Sequence, residues 1–291
     1  MDRIIGKAAN IIETLPFIQR FRNETVVVKF GGSIIDDSQA CESILQDVAF
    51  MEVVGLRPVV VHGGGKAISR KMEEQHLKPM FLHGLRVTNQ ACIRVVESAL
   101  NLEVNPRLIR ALEDFECRAV GILGQDILQA IRHTATDPHT GETIDWGFVG
   151  EVTTVRTAPI QETLDAQAVP VITPLARGEN GDVYNINADE AAAAIARSLS
   201  ARKLVFLSDV PGVLADPNDR ASIISHIETN QVEPLIRKGV LQGGMIPKIR
   251  AATKTIELGV RKVHIIDSAL PHSLLLELFT EKGVGTEIVK S

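Results

Sequence analysis

The chain has 291 residues, a formal net charge of −5, 45% hydrophobic residues and 23% charged ones. That length holds one large α/β unit or two lobes, and the composition is that of a soluble globular protein. An acidic balance with only 4% aromatics argues against a nucleic-acid or anionic-membrane surface, no apolar run reaches the length of a bilayer span, and the scattered Cys41, Cys92 and Cys117 fit reduced thiols in a cytoplasm.

Residues 1–22 carry Ile4, Ile5, Ala8, Ile11, Ile12 and Leu15. This is an apolar stripe at helical spacing, expected to end or kink at Pro16. Charged residues interrupt it, so it does not read as a signal peptide. The α/β pattern that follows is complete without the stripe, which is therefore expected to bury against another subunit, the alternative being packing on its own domain.

The first predicted strand, Thr25–Phe30, runs VVVKF into Gly31, Gly32 and Ser33. Backbone without side chains approaches an anion closely, and Lys29 adds positive charge beside it. A helix over Ser38–Val54 leads to a second strand, Pro58–His62, which runs into Gly63, Gly64, Gly65 and Lys66. Glycine after a strand is often only a turn. Two such turns, each at the carboxyl end of an apolar strand, suggest one shared ligand crevice. Neither is a P-loop, because Ala67 follows Gly65-Lys66 and Val60 stands where the first glycine belongs. The dinucleotide fingerprint fails at Ile68.

Helices are predicted over Lys66–Gln75, Gln90–Leu100 and Asn105–Asp114, with strands at Arg118–Leu123 and Ala168–Thr173. Between the first two helices lies GLRVT, in which Arg86 could fork onto a carboxylate. The His133–Val152 stretch breaks the rhythm. Turn chemistry from Asp137 to Gly141 suggests a hairpin, either a lid or a surface excursion.

A loop at Leu175–Asp182 suggests a boundary, giving an N-lobe over 23–178 and a C-lobe over 179–291. The C-lobe opens with YNINAD. Asn187 caps the Ala188–Ser200 helix, Asp189 sits in its first turn, and Asn185 is free to face the crevice. Strand Lys203–Ser208 ends at Asp209 before a Pro211-Gly212 turn. QGGMIPK then opens a helix over Gly244–Leu258 with Lys248 near its start. A strand at Lys262–Asp267 and a helix at His272–Phe279 follow. The order implies a mostly parallel open sheet with helices on both faces. The inventory of lysines, glycine turns, an arginine and an aspartate, without a convincing nucleophile–base pair, suits phosphoryl transfer.

On KFGGS, HGGG, GLRVT, YNINAD, GGMIPK and DWGFVGEV, over about Pro16 to Ile288, the chain resembles the amino-acid kinase superfamily and, within it, the acetylglutamate kinases. The resemblance implies a three-layer α/β/α sandwich and an ATP-dependent enzyme. Its reaction would convert N-acetyl-L-glutamate to N-acetyl-L-glutamyl 5-phosphate, the second step of arginine biosynthesis. Lys29 and Lys248 would stabilise the transferring phosphoryl group, with Asp189 holding them. Gly31, Gly32 and Gly64 would offer amides to the phosphoryl oxygens. Gly64, Gly65, Arg86 and Asn185 would bind the acyl amino acid. Asp209 would line the nucleotide pocket, and Mg²⁺ would bridge ATP phosphates without dedicated ligands.

ETLPFIQRF and the segment His272–Thr286 also resemble arginine-inhibited acetylglutamate kinases. This implies a hexamer, a trimer of dimers, with L-arginine held near Glu277 and Gly283. Some such enzymes are relieved of inhibition by a PII-type signalling trimer, a partner these residues do not establish. Departures from the pattern are Ser33, Lys66, Ala67 and Asn89, none of which removes a residue with an assigned role, and Phe17, which stands where that helix often has Tyr and so lacks a hydroxyl contact. The alternatives are a kinase for an aminoadipate derivative and a catalytically silent amino-acid sensor.

Overall fold

A computed structural model describes residues 2–136, 141–216, 218–219, 222–242 and 245–291. An eight-stranded sheet runs through the molecule. Its spatial order is His226–Glu228, Thr286–Val289, Lys262–Asp267, Lys203–Ser208, Thr25–Phe30, Arg57–His62, Val169–Ile172 and Ala119–Ile122. All neighbours pair in parallel except Lys262–Asp267 with Thr286–Val289.

Successive side chains of a strand point to opposite faces. Val27, Val59, Val61, Leu204 and Phe206 enter one core, with Ala191 and Ile195 of the Ala188–Ser198 helix and Ile249 and Ile256 of the Met245–Glu257 helix. Val26, Val28, Phe30, Val60, Val205 and Leu207 enter the other, with Ile44 and Val48 of Ser38–Val53, Leu108 and Leu112 of Asn105–Glu113, and Leu274 and Leu278 of Ser273–Phe279. Strands buried on both faces need apolar residues at every position, which explains the unbroken VVV runs. The result is the expected three-layer α/β/α arrangement. Leu128–Thr136, Thr143–Val155, Leu175–Arg177 and Val183–Asn185 form a small closed barrel beside it. Among the described residues no helix is long and apolar enough to cross a membrane.

Several expectations are corrected. The N-terminal helix, Asp2–Phe21, continues through Pro16. Proline removes one hydrogen bond, to the carbonyl of Ile12, and Ile12 is exposed, so water can serve that carbonyl. The helices around Leu100 are not separate. Gln90–Ser98 passes through a π-helical stretch, Ala99–Val104, directly into Asn105–Glu113. The wider turn accommodates Pro106, whose ring has no amide to give. Arg86 lies between the helices Gly65–Glu74 and Gln90–Ser98 as expected, and the segment that carries it is a short strand, Leu85–Arg86, paired with Phe81–Leu82. The hairpin expected within His133–Val152 is longer, and its turn at 137–140 lies outside the described residues, as does the glycine pair at 243–244.

Candidate active site

Two strand ends meet here. Gly31 caps the short helix Gly32–Asp36, and Gly64 caps Gly65–Glu74. A Cβ on Gly32 would stand 3.0 Å from the Gly65 nitrogen and 3.1 Å from that of Lys66, and one on Gly63 would stand 3.2 Å from Gly31 Cα. The two turns therefore touch backbone to backbone, and two helix N-termini converge, a favourable place for an anion. His62 braces the second turn. Its Nδ1 donates to the Gly63 carbonyl at 2.8 Å while Nε2 accepts from Asn105 Nδ2 at 3.1 Å. Burial pushes the imidazole down to about 4, so it stays neutral and keeps both contacts.

Behind the glycines, Lys29 Nζ lies 2.5 Å from Asp189 Oδ1. Asn187 fixes the carboxylate's backbone by accepting from the amides of Asp189 at 2.8 Å and Glu190 at 3.4 Å. Lys248 reaches the same place from the Met245–Glu257 helix. Its Nζ donates to Ser208 Oγ and lies 3.9 Å from Asp209 Oδ1. Burial lowers the Lys248 pKa, Asp189 and Asp209 push it back up, and Lys29 lowers it further. Two lysines and one carboxylate thus share a field next to the glycine turns.

On the other side of the turns is a cavity of about 680 Å³ lined by Gly32, Gly64, Gly65, Lys66, Arg86 and Asn185 among others. Arg86 is buried, and its partners are neutral. Its guanidinium donates to the Gly65 carbonyl at 3.1 Å and Ser69 Oγ at 2.9 Å, contacts Met72 Sδ at 3.3 Å, and lies 4.6 Å from the centre of the Phe81 ring. Burial lowers its pKa. A buried guanidinium with neutral neighbours is matched by an anionic ligand.

The sequence profile of the amino acid kinase family matches residues 24–267. The chain belongs to the amino acid kinase family. Within it the chain groups with the acetylglutamate kinases, phosphotransferases with a carboxyl acceptor. It is 44% identical to the acetylglutamate kinase of Akkermansia muciniphila, covering 100% of this chain and 98% of that one. It is 43% identical to that of Archaeoglobus fulgidus, covering 96% and 97%. Among solved structures, the N-acetylglutamate synthase from Neisseria gonorrhoeae, complexed with coenzyme A and N-acetyl-glutamate, superposes with a TM-score of 0.84 at 27% identity. The match covers 98% of this kinase and 63% of the synthase. The same fold recurs in Giardia carbamate kinase, TM-score 0.66 at 15% identity, covering 92% and 99%.

The structure of this amino acid kinase also contains a second, larger cavity, about 1020 Å³, between the N-terminal helix and the last strands. Phe17, Lys203, His264, Glu277 and Gly283 line it. Glu277 accepts from His264 Nδ1 at 2.5 Å and from the amides of Val284 at 2.7 Å and Gly285 at 3.0 Å. Burial alone would raise the Glu277 pKa; these donors outweigh it and hold the carboxyl below the usual range. Gly283 has φ +63°, and a Cβ there would stand 2.5 Å from Glu277 Oε2.

The structure therefore gathers Lys29, Asp189 and Lys248 in one cluster, Gly64, Gly65, Arg86 and Asn185 around one cavity, and Glu277 and Gly283 around another. Asp209 is exposed beside Lys248. Sequence reasoning missed Ser208 as the acceptor for Lys248, His62 and Asn105 as the brace of the turn, and Phe81 over Arg86. Only Ser208 had a signal, its position at a strand's carboxyl end.

Proposed function

We infer that this kinase transfers the γ-phosphoryl group of ATP to the side-chain carboxylate of N-acetyl-L-glutamate, a reading supported by the name acetylglutamate kinase that its relatives carry. The observation that carries the reading is Arg86, a buried guanidinium with neutral partners in a cavity walled by the glycine turns that flank Lys29. Its forked donors suit the α-carboxylate, which leaves the side-chain carboxylate directed at the turns. Gly31, Gly32 and Gly64 offer amides to the phosphoryl oxygens, Lys29 and Lys248 offset the charge that develops in flight, and Asp189 keeps the two lysines together. In this reading segment 23–178 supplies most of the acyl amino acid site, joined by Asn185, and 179–291 binds ATP, with Asp209 at the nucleotide. Mg²⁺ would enter with ATP and offset phosphate charge there, since among the described residues no group of three or more His, Cys, Asp or Glu could hold the ion.

The test is ADP release in the presence of N-acetyl-L-glutamate, L-glutamate or N-acetyl-L-aminoadipate. Turnover on the first and little on the others supports the reading. Preference for the aminoadipate compound favours the alternative, which has one observation behind it: Lys66 lines the same cavity and adds a cation to those of Arg70 and Arg86.

Regulation belongs to the same proposal. Phe17, Glu277 and Gly283 line one cavity beside the N-terminal helix, and the Neisseria synthase has also been solved with L-arginine, at TM-score 0.80 and 25% identity over 98% of this chain and 65% of that one. We propose L-arginine as an inhibitor bound there. Ile11, Ile12 and Leu15 are exposed on that helix, an apolar face suited to joining dimers into a hexamer. Deleting residues 1–20 should leave an active dimer with weakened inhibition; unchanged inhibition would count against this assignment.

A further inference from the structure

Arg86 sits in a hairpin of two short strands, Phe81–Leu82 and Leu85–Arg86, whose faces are largely exposed. Two residues per strand do not hold a hairpin by themselves. Besides the Val87 amide on the Met80 carbonyl at 2.9 Å and the bonds of Arg86 to Gly65 and Ser69, a residue of the long barrel strand Thr143–Val155 holds it. Trp146 is 3% exposed, and its indole Nε1 donates to the Leu82 carbonyl at 2.9 Å. Its own carbonyl accepts from the Thr88 amide at 2.8 Å. One residue therefore grips the hairpin on both sides of Arg86, at Leu82 and at Thr88. Thr88 passes the grip inward, its Oγ1 donating to the Arg86 carbonyl at 2.9 Å.

The neighbouring groups hold Trp146 in turn. Gly147 has φ +79°, and a Cβ there would stand 2.3 Å from the Thr88 carbonyl, so the strand passes this close only because the residue is glycine. Phe148 donates its amide to the same Thr88 carbonyl at 2.6 Å. Asp145 accepts from the Gly147 amide at 2.9 Å and takes Arg132 in a forked pair at 2.9 and 2.7 Å. The indole is flanked by His133 at 5.0 Å and His83 at 6.4 Å between ring centres.

We propose that Trp146 is a positioning residue for substrate, which sets Arg86 in the cavity by pinning the hairpin that carries it. This rests on the reading of the cavity as the N-acetylglutamate site. Trp146 does not line the cavity itself, so it acts only through the hairpin.

The experiment compares Trp146→Phe, Arg86→Lys and the double variant in the full chain, each with N-acetyl-L-glutamate and with ATP as the varied substrate. Trp146→Phe keeps an aromatic ring and loses the N–H. Loss of one neutral hydrogen bond corresponds to about a threefold to tenfold effect. KM for N-acetyl-L-glutamate should rise by that factor, with kcat and the KM for ATP within about twofold. If the effect travels through Arg86, it should largely disappear in the Arg86→Lys background. Effects that multiply in the double variant, or an unchanged KM in the single one, would overturn the proposal while leaving the substrate assignment standing. A wild-type chain that does not turn over N-acetyl-L-glutamate would overturn both. Hydrogen exchange on the unaltered chain gives a second check that no misfolded variant can obscure. The Thr88 amide, which donates to the Trp146 carbonyl, should be protected before any ligand is added, and exchange at the rate of a free loop would overturn the pinning.

Discussion

Lys29 Nζ and Asp189 Oδ1 are 2.5 Å apart, and the same carboxylate raises the pKa of Lys248, which Lys29 and burial lower. Asp189 is thus shared by two lysines that would otherwise repel. Three residues from separate elements, a strand end and the first turns of two helices, form one electrostatic unit.

From this unit, Lys248→Ala and Lys29→Ala should each lower kcat by about 10²–10³, the usual cost of losing one preorganised charge at a transition state. Asp189→Asn removes a contribution that keeps Lys248 protonated. Its alkaline loss of activity should move to lower pH than in the wild type. A kcat–pH profile for the three variants checks this, and an Asp189→Asn profile with an unmoved alkaline limb would count against the shared carboxylate.

Arg86→Lys retains the charge and loses the fork. A contact made equally in the ground and transition states changes KM more than kcat. Steady-state kinetics should show a raised KM for N-acetyl-L-glutamate with the ATP KM unchanged. The reverse pattern would assign Arg86 to the wrong ligand.

Much of this was legible in the sequence because it resides in local chemistry. The strands Thr25–Phe30, Lys203–Ser208 and Lys262–Asp267 run to the residues expected, since their runs of β-branched, leucine and phenylalanine residues between polar ends and turns leave little choice. The Asn187 cap was readable for the same reason. What was not legible depends on distant partners. Nothing near Trp146 in sequence announces Leu82, and nothing near His62 announces Asn105. The strands His226–Glu228 and Thr286–Val289 are short and amphipathic, and become strands only because the sheet edge offers them a ladder. Pro16 does not end the helix: it costs one hydrogen bond, at an exposed position where water can serve the freed carbonyl of Ile12.

Gly32→Ala should abolish most activity while leaving the fold. The added Cβ meets main-chain nitrogens of Gly65 and Lys66 at 3.0 and 3.1 Å, and main chain at a helix start cannot step aside as a flexible side chain would. The turns must separate by several tenths of an ångström, which misaligns the amides that face the phosphoryl group. Wild-type kcat in this variant would show that the turns need not touch.

His62 gives an acid limb to stability. Its pKa is 6.5 when unfolded and about 4 when folded, so between these values the unfolded chain binds the extra proton. Its stabilising effect is complete above pH 6.5 and declines as pH falls toward 4. At roughly 1.4 kcal/mol per pH unit the gap is worth about 3 kcal/mol. Chemical denaturation across this window should show the decline, and His62→Gln should flatten it. Parallel curves for the two proteins would mean that other groups cause the acid limb.

The central claim is transfer of phosphate to a carboxylate held by Arg86, and trapping the product tests it most directly. An acyl phosphate reacts with hydroxylamine to give a hydroxamate. Incubated with Mg²⁺-ATP, N-acetyl-L-glutamate and hydroxylamine, the chain should produce the N-acetylglutamyl hydroxamate in step with ADP, and Lys248→Ala should produce about 10²–10³ less. ADP release without hydroxamate, or hydroxamate from L-glutamate but not from its N-acetyl derivative, would contradict the account.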